Sequence, residues 1–320
     1  MPIPKEIIDS VLERIIPRIV SNCQKRISGS NTSKQLQPFV LGLTGLQGSG
    51  KSTWTSRIHT TLRDTHGFKV VSVSLDDFYL NHDNLVRLRE SNSDNLLLRT
   101  RGQPGSHDEA LAQSFFDSLT KDHGTISIPA FDKSCFNGEG DRVPTEQWER
   151  IDADPPVDVV VFEGWCIGFR PLSDDGLDRK WKTATSNQQS NAYVETKFST
   201  TTLANHSLEA LRTINENLRR YCGTFMGPQH FDYLVHLDTD DLKNVYQWRM
   251  QQEHALRAAK KGGMTDDEVC AFVQGYMPSY ELYLDQLREG FFVDEQSGEG
   301  QLRVLLAEDR SVKSFQELGG

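Results

Sequence analysis

The stretch from Pro38 to Thr53, PFVLGLTGLQGSGKST, constrains the fold more than any other part of the chain. Phe39 to Thr44 is short and mostly apolar, bounded by Pro38 and Gly45, which is the pattern of a buried strand in a parallel sheet. Gly45-Leu46-Gln47-Gly48-Ser49-Gly50-Lys51-Ser52 then fits G-x-x-x-x-G-K-[ST]. Glycines at these positions let the backbone turn tightly and aim successive N–H groups inward, where they can hold anionic oxygens. A helical run that opens near Lys51 and takes in Thr53 adds the positive end of its dipole to the same spot. Lys51 supplies a full charge for the outer phosphates of a nucleotide such as ATP, and Ser52 a hydroxyl ligand for Mg²⁺. A chance Gly/Ser turn ahead of a helix is the bland alternative. It leaves unexplained why a strand and a helix stand where the pattern needs them.

A chain of 320 residues can hold one large α/β domain or two smaller ones. No internal repeat and no clean boundary divides it, so one domain over residues 1–320 is the reading. The net charge of −10 weighs against a broad nucleic-acid surface, which is normally basic. The five cysteines are odd in number and form no C-x-x-C, which argues for reduced thiols and against a zinc site. No apolar run reaches membrane-spanning length. The early acids Glu6, Asp9 and Glu13 do not suit a signal or transit peptide, so the cytosol is the expected compartment. The sequence leaves oligomeric state open, with a monomer the simpler expectation.

Acids follow two further strand-like runs. Phe68 to Leu75 ends in Asp76-Asp77-Phe78-Tyr79, and Val157 to Phe162 ends in Glu163-Gly164-Trp165. Ligands of parallel α/β sheets bind beyond the carboxyl ends of strands, so these acids are candidates. Glu163 suits Mg²⁺ or its waters, and Asp76, Asp77 and Tyr79 are candidates for contacts with a substrate. Either aspartate could instead cap the next turn. The loop from Arg99 to Asp108 (RTRGQPGSHD) is rigid and cationic, and Asp108 opens a helix. Its Arg99, Arg101 and His107 are candidates to grip a substrate carboxylate or phosphate.

The remaining elements are less specific. Pro4 to Arg26 has helical apolar spacing interrupted by Pro17, which predicts a kink or a split, and a polar linker runs to Gln37. Ile126 to Lys133 reads as a short or edge strand, and Asp141 to Arg150 as a polar turn region. Ser173 to Ser207 is polar and weakly patterned, which suggests a mobile insertion. Leu208 to Tyr221 is helical, and Phe231 to Leu237 is a strand. Leu242 to Lys261 is a long helix carrying Arg249, His254 and Arg257, either a lid or an ordinary amphipathic helix. Thr265 and Glu268 form a capping-box pattern for the next helix, the helical region continues to Leu287, and Leu302 to Leu306 is the last strand expected.

With the phosphate loop, DDFY, RGQPGSHD, PAFDKS, EGWCIGFRPL, YQWRMQQEHALR and FVQGYMPSYELYL in that order, the chain resembles the D-glycerate 3-kinase family between roughly Pro38 and Leu287. More distantly it is similar to uridine kinase, phosphoribulokinase and bacterial pantothenate kinase. The resemblance implies a three-layer α/β/α P-loop kinase with a mostly parallel sheet and a helical lid. It also implies ATP with Mg²⁺ as donor and a small hydroxylated acceptor, D-glycerate with its 3-hydroxyl first among them. In this pattern Asp76 looks like the group that orients or deprotonates the hydroxyl, with Asp77 beside it still open. Glu163 matches the acid of the family's Glu-Gly pair, and Arg249 the lid arginine. A nucleoside, a sugar phosphate or pantothenate remains an alternative acceptor, and a non-catalytic ATP-binding regulator an alternative role. A GTPase is disfavoured, because no Asn-Lys-x-Asp signature is present.

Overall fold

A computed structural model describes residues 5–28, 37–121, 123–190, 197–259, 262–293 and 298–319. In chain order the strands are β1 (Phe39–Gly45), β2 (Val70–Ser74), β3 (Thr125–Ile128), β4 (Phe131–Asp132), β5 (Asp141–Arg142), β6 (Glu149–Asp152), β7 (Val159–Gly164), β8 (Tyr233–Thr239), β9 (Gln301–Leu306) and β10 (Val312–Leu318). The helices are α1 (Lys5–Ser28), α2 (Lys51–His66), α3 (His82–Ser91), α4 (Glu109–Ser118), α5 (Asp174–Ser190), α6 (Leu208–Tyr221), α7 (Lys243–Ala258), α8 (Asp266–Gln274) and α9 (Met277–Glu289).

The main sheet runs β2-β7-β1-β8-β9-β10. All its neighbours pair parallel except β9 and β10, which pair antiparallel. Position in the sheet follows composition: β1, β7 and β8 are almost wholly buried and lie in the middle, whereas β2 buries alternate residues at the edge. Register fixes the two faces. Gly42, Phe162 and Leu234 lie side by side, and so do Leu43, Val235 and Glu163. The first face meets an aromatic cluster of Phe78, Phe116, Phe162, Phe225 and Phe231, in which Phe116 comes from α4. The second is covered by α2, whose His59 ring hydrogen-bonds the Ser72 hydroxyl of β2 at 2.9 Å. Helices therefore cover both faces, and β1, β7 and β2 end side by side with their carboxyl ends on one rim.

Several expectations change. α1 is a single helix through Pro17, which sits on the exposed face where water can take the carbonyl left unpaired. The expected polar linker lies mostly outside the described residues. The tract Ser173–Ser207, taken as a mobile insertion, contains α5, which packs through Leu177, Trp181 and Ala184; residues 191–196 lie outside the described residues. The run Ile126 to Lys133 is no part of the main sheet. It supplies β3 and β4, which pair with β6 and β5 from the segment expected to be turn. α8 and α9 are separate helices broken at Gly275-Tyr276, and β10 was not expected. Lys260 and Lys261, at the expected end of the lid helix, lie outside the described residues.

Candidate active site

The phosphate loop joins β1 to α2. Gly48 and Gly50 have φ of +75° and +92°, a left-handed backbone open to glycine. Among the described residues no acceptor takes the N–H groups of Gly48, Gly50, Lys51 or Ser52, and the buried Ser49 hydroxyl is also unpaired. Orphaned donors at a helix start, with an ammonium beside them, fit a phosphate chain. The Lys51 Nζ folds back onto the carbonyls of Gly45 (2.9 Å) and Leu46 (3.2 Å). Burial lowers its pKa, and the nearby carboxylates of Glu163 and Asp76 work against that.

The loop is held from outside. Gln47 donates its N–H to the Tyr280 hydroxyl of α9 at 3.3 Å. Arg310, in the β9–β10 turn, donates to the Gly48 carbonyl (2.7 Å), to Gln251 Oε1 (2.7 Å) and to the Trp248 carbonyl of α7 (3.1 Å). Trp248 Nε1 returns a bond to the Glu308 carbonyl at 2.6 Å. A Cβ added to Gly48 would stand 2.6 Å from the Cβ of Trp248, so loop and helix are packed without slack.

Glu163 is the penultimate residue of β7 and is 9% exposed. Burial raises its pKa, while Lys51 and the Ser74 hydroxyl favour the ionised form. Ser52 and Glu163 line one cleft of about 400 Å³, together with Ser56, His59 and Ser74. No cluster of three His, Cys, Asp or Glu that could hold a metal occurs among the described residues. A hydroxyl and a single carboxylate still suit Mg²⁺, which keeps waters and phosphate oxygens in its shell.

β2 ends in a tight turn, Leu75–Phe78, that separates the two aspartates. Asp77 closes a capping box: its carboxylate accepts the Ser74 N–H at 2.9 Å, while the Ser74 hydroxyl accepts the Asp76 N–H at 3.3 Å. Burial pushes the Asp77 pKa up to about 6. Asp76 instead pairs with Lys133 at 2.5 Å. Burial would raise its pKa, but Lys133, with His107 and the Tyr79 hydroxyl beside it, holds it below the ordinary carboxylate value.

The loop from Gly102 to His107 forms the wall beside them. Gly102 and Gly105 have φ of +137° and +107°, and a Cβ on either would run into Tyr276 or Asn217. Trp165 Nε1 donates to the Gly102 carbonyl (3.0 Å), and Ser279 to Gln103 Oε1 (2.7 Å). The Tyr221 hydroxyl accepts the N–H groups of Gly105 (2.7 Å) and His107 (3.1 Å) and lies 3.1 Å from His107 Nδ1. His107 is 3% exposed and stacks on Tyr79 with ring centroids 4.4 Å apart. Burial pushes its pKa down to about 4, so near neutral pH it is a neutral hydrogen bonder. This corrects the expectation that His107 could supply a cation for an acceptor carboxylate.

The other expected cations divide. Arg101 lies over Tyr79 and Phe131, 5.8 and 5.5 Å from their ring centroids, and donates to the carbonyls of Gly138 and Glu139. Arg99 is exposed and joins none of these contacts. The Arg249 backbone touches the loop at Gly48, but its guanidinium pairs with buried Glu253 and lies 5.0 Å from the Phe272 ring centroid. Thr53 is exposed on the first turn of α2. The structure thus brings Lys51, Glu163, Asp76, Tyr79 and His107 to one rim, with Arg101 behind them. Lys133 is the residue that sequence reasoning passed over. It closes the short run Ile126 to Lys133, and its pairing with Asp76 spans 57 residues and leaves no local signal.

No family model matches the sequence. The chain is 36% identical over 304 residues to the uncharacterized kinase mug58 of Schizosaccharomyces pombe, covering 94% of this chain and 98% of that one. It is 31% identical to the chloroplastic D-glycerate 3-kinase of Arabidopsis thaliana, covering 88% of this chain and 56% of the plant protein. Among solved structures, D-glycerate 3-kinase from Cryptococcus neoformans superposes with a TM-score of 0.79 at 32% identity, covering 96% of this chain and 99% of that one.

Proposed function

This chain belongs to the D-glycerate 3-kinase family and is an ATP-dependent kinase that phosphorylates a hydroxyl group; we propose that the hydroxyl is the 3-hydroxyl of D-glycerate. The observation that carries the proposal is the convergence on one rim of a phosphate-loop lysine, a buried glutamate and an aspartate kept ionised. Lys51 feels the fields of both Glu163 and Asp76. Bound Mg²⁺ would be held by Ser52 and Glu163 and would neutralise charge on the outer phosphates.

The capping duty of Asp77 supports Asp76 as the group that faces the acceptor. Its low pKa keeps it ionised, so it orients the hydroxyl first and takes the proton late. That sequence suits a loose phosphoryl-transfer transition state, in which positioning and charge stabilisation dominate. Tyr79 and His107 form a neutral, stacked wall for a small substrate. For Arg249 to reach the transferring group it must exchange Glu253 for it, a change that closing of α7 could bring.

ADP release with D-glycerate, L-glycerate, uridine and pantothenate, each with and without Mg²⁺, tests the proposal. D-glycerate should be preferred, with no turnover when Mg²⁺ is withheld. Preference for uridine or pantothenate would reject D-glycerate as the acceptor.

A further inference from the structure

We infer that Lys133 is the residue that reads the acceptor's carboxylate, which makes the hairpin between β4 and β5 the specificity element of this kinase. The inference rests on the D-glycerate reading above. In D-glycerate a single carbon separates the carboxylate from the carbon that bears the reacting hydroxyl. A cation that holds the carboxylate therefore has to sit beside the group that faces the hydroxyl.

Among the described residues, Lys133 is the rim side chain that meets that requirement. Lys51 is committed to the phosphate loop, where its Nζ lies on the Gly45 and Leu46 carbonyls. His107 is neutral, and Arg101 is tied to the carbonyls of Gly138 and Glu139. The Arg249 guanidinium is paired with Glu253. Lys133 places its ammonium on Asp76 Oδ2 while 55% of its side chain remains exposed, so a ligand arriving from solvent can reach it. Its charge is felt by Asp77, Glu163 and Lys51 as well, so it lies near both the acids and the phosphate-loop lysine. An ammonium has three N–H donors; Asp76 takes one, and the others are available to a carboxylate.

The hairpin is built to hold this lysine in place. Arg101 fastens its tip through the two carbonyls, and the Phe131 ring lies 5.2 Å from that of Tyr79. Arg142, on the return strand, donates to the Tyr79 carbonyl and to Asp108, each at 2.9 Å. Arg101 thus acts as a positioning residue for the hairpin rather than as the substrate's own cation.

Steady-state kinetics of Lys133→Met and Lys133→Arg test this, alongside calorimetry of D-glycerate binding in the presence of a non-hydrolysable ATP analogue. One charge-assisted contact predicts a rise of about 30-fold in KM for D-glycerate in Lys133→Met. The KM for ATP should stay within about twofold, whereas kcat should fall as well as KM rise, because the same ammonium helps to hold Asp76 ionised. Calorimetry should show the same loss of affinity, and Lys133→Arg should recover most of it. An unchanged KM for D-glycerate, or a fall in kcat alone, overturns the inference. Turnover of the acceptor panel by the wild type reports on the D-glycerate reading separately. A wild type that uses D-glycerate, with an unaltered KM in Lys133→Met, defeats the lysine assignment only; one that uses uridine and no hydroxy acid defeats both.

Discussion

Asp76 and Asp77 are chemically identical neighbours with opposite duties. Only the turn decides between them, since one carboxylate is taken up by the Ser74 N–H and the other is left facing Lys133. Sequence can place both acids past a strand end, but it cannot show which one the backbone consumes. Asp76→Asn should lower kcat by roughly 10²-fold or more with the KM for ATP nearly kept, read by ADP release. Asp77→Asn should instead cost about 1 kcal/mol in urea unfolding, as lost caps do, with a much smaller change in kcat. A larger fall in kcat for Asp77→Asn than for Asp76→Asn would reverse the assignment. His107 shows the same limit: a histidine in a Gly/Pro loop looks like a ready cation, and only its burial, against partners that include Tyr221 114 residues away, makes it neutral.

Elements were legible where local chemistry sets them. α6 keeps the expected bounds Leu208–Tyr221, and the box of Thr265 and Glu268 opens α8. α5 leaves little signal because its apolar stripe is narrow, with Leu177 the fully buried side chain among its described residues. β10 was missed because it is an edge strand whose residues are exposed or half-buried, so burial stamps no alternation on it. The phosphate loop was legible as a motif, while its packing against α7 was not. Gly48→Ala tests that packing. The substitution adds a Cβ at φ +75°, 2.6 Å from Trp248, so the loop must move off α7. Nucleotide affinity, followed by titration with a fluorescent ATP analogue, should fall at least about tenfold, since left-handed strain costs on the order of 1–2 kcal/mol before the clash is added. An affinity within twofold of wild type would show the loop to be looser than it looks.

At the scale of the whole molecule, strand order and burial together govern the response to acid. His107 and His236 are 3% and 1% exposed, and burial pushes each pKa down to about 4. A group whose folded pKa is depressed contributes stability that is present above its unfolded value, near 6.5, and lost as pH falls toward 4. Asp77 and Glu281, raised to about 6 and about 7, act in the opposite sense over the same range. The wild-type curve is therefore flattened, and the histidine effect shows as a difference. The stability gap between wild type and His236→Gln should change by roughly 1.4 kcal/mol per pH unit between about pH 6 and 4.5, in the direction of wild type losing more on acidification. A constant gap in urea unfolding across that range would contradict a neutral buried His236. None of this balance is readable along the chain, because it depends on which strands end up in the middle of the sheet.

The tie from Arg310 to Gly48 joins residues 262 positions apart. During synthesis the nucleotide cradle is made early and lacks this brace until the far hairpin has emerged and folded back on it. A growing polypeptide should therefore hold ATP feebly until translation has passed Arg310, so competence for catalysis arrives late and all at once.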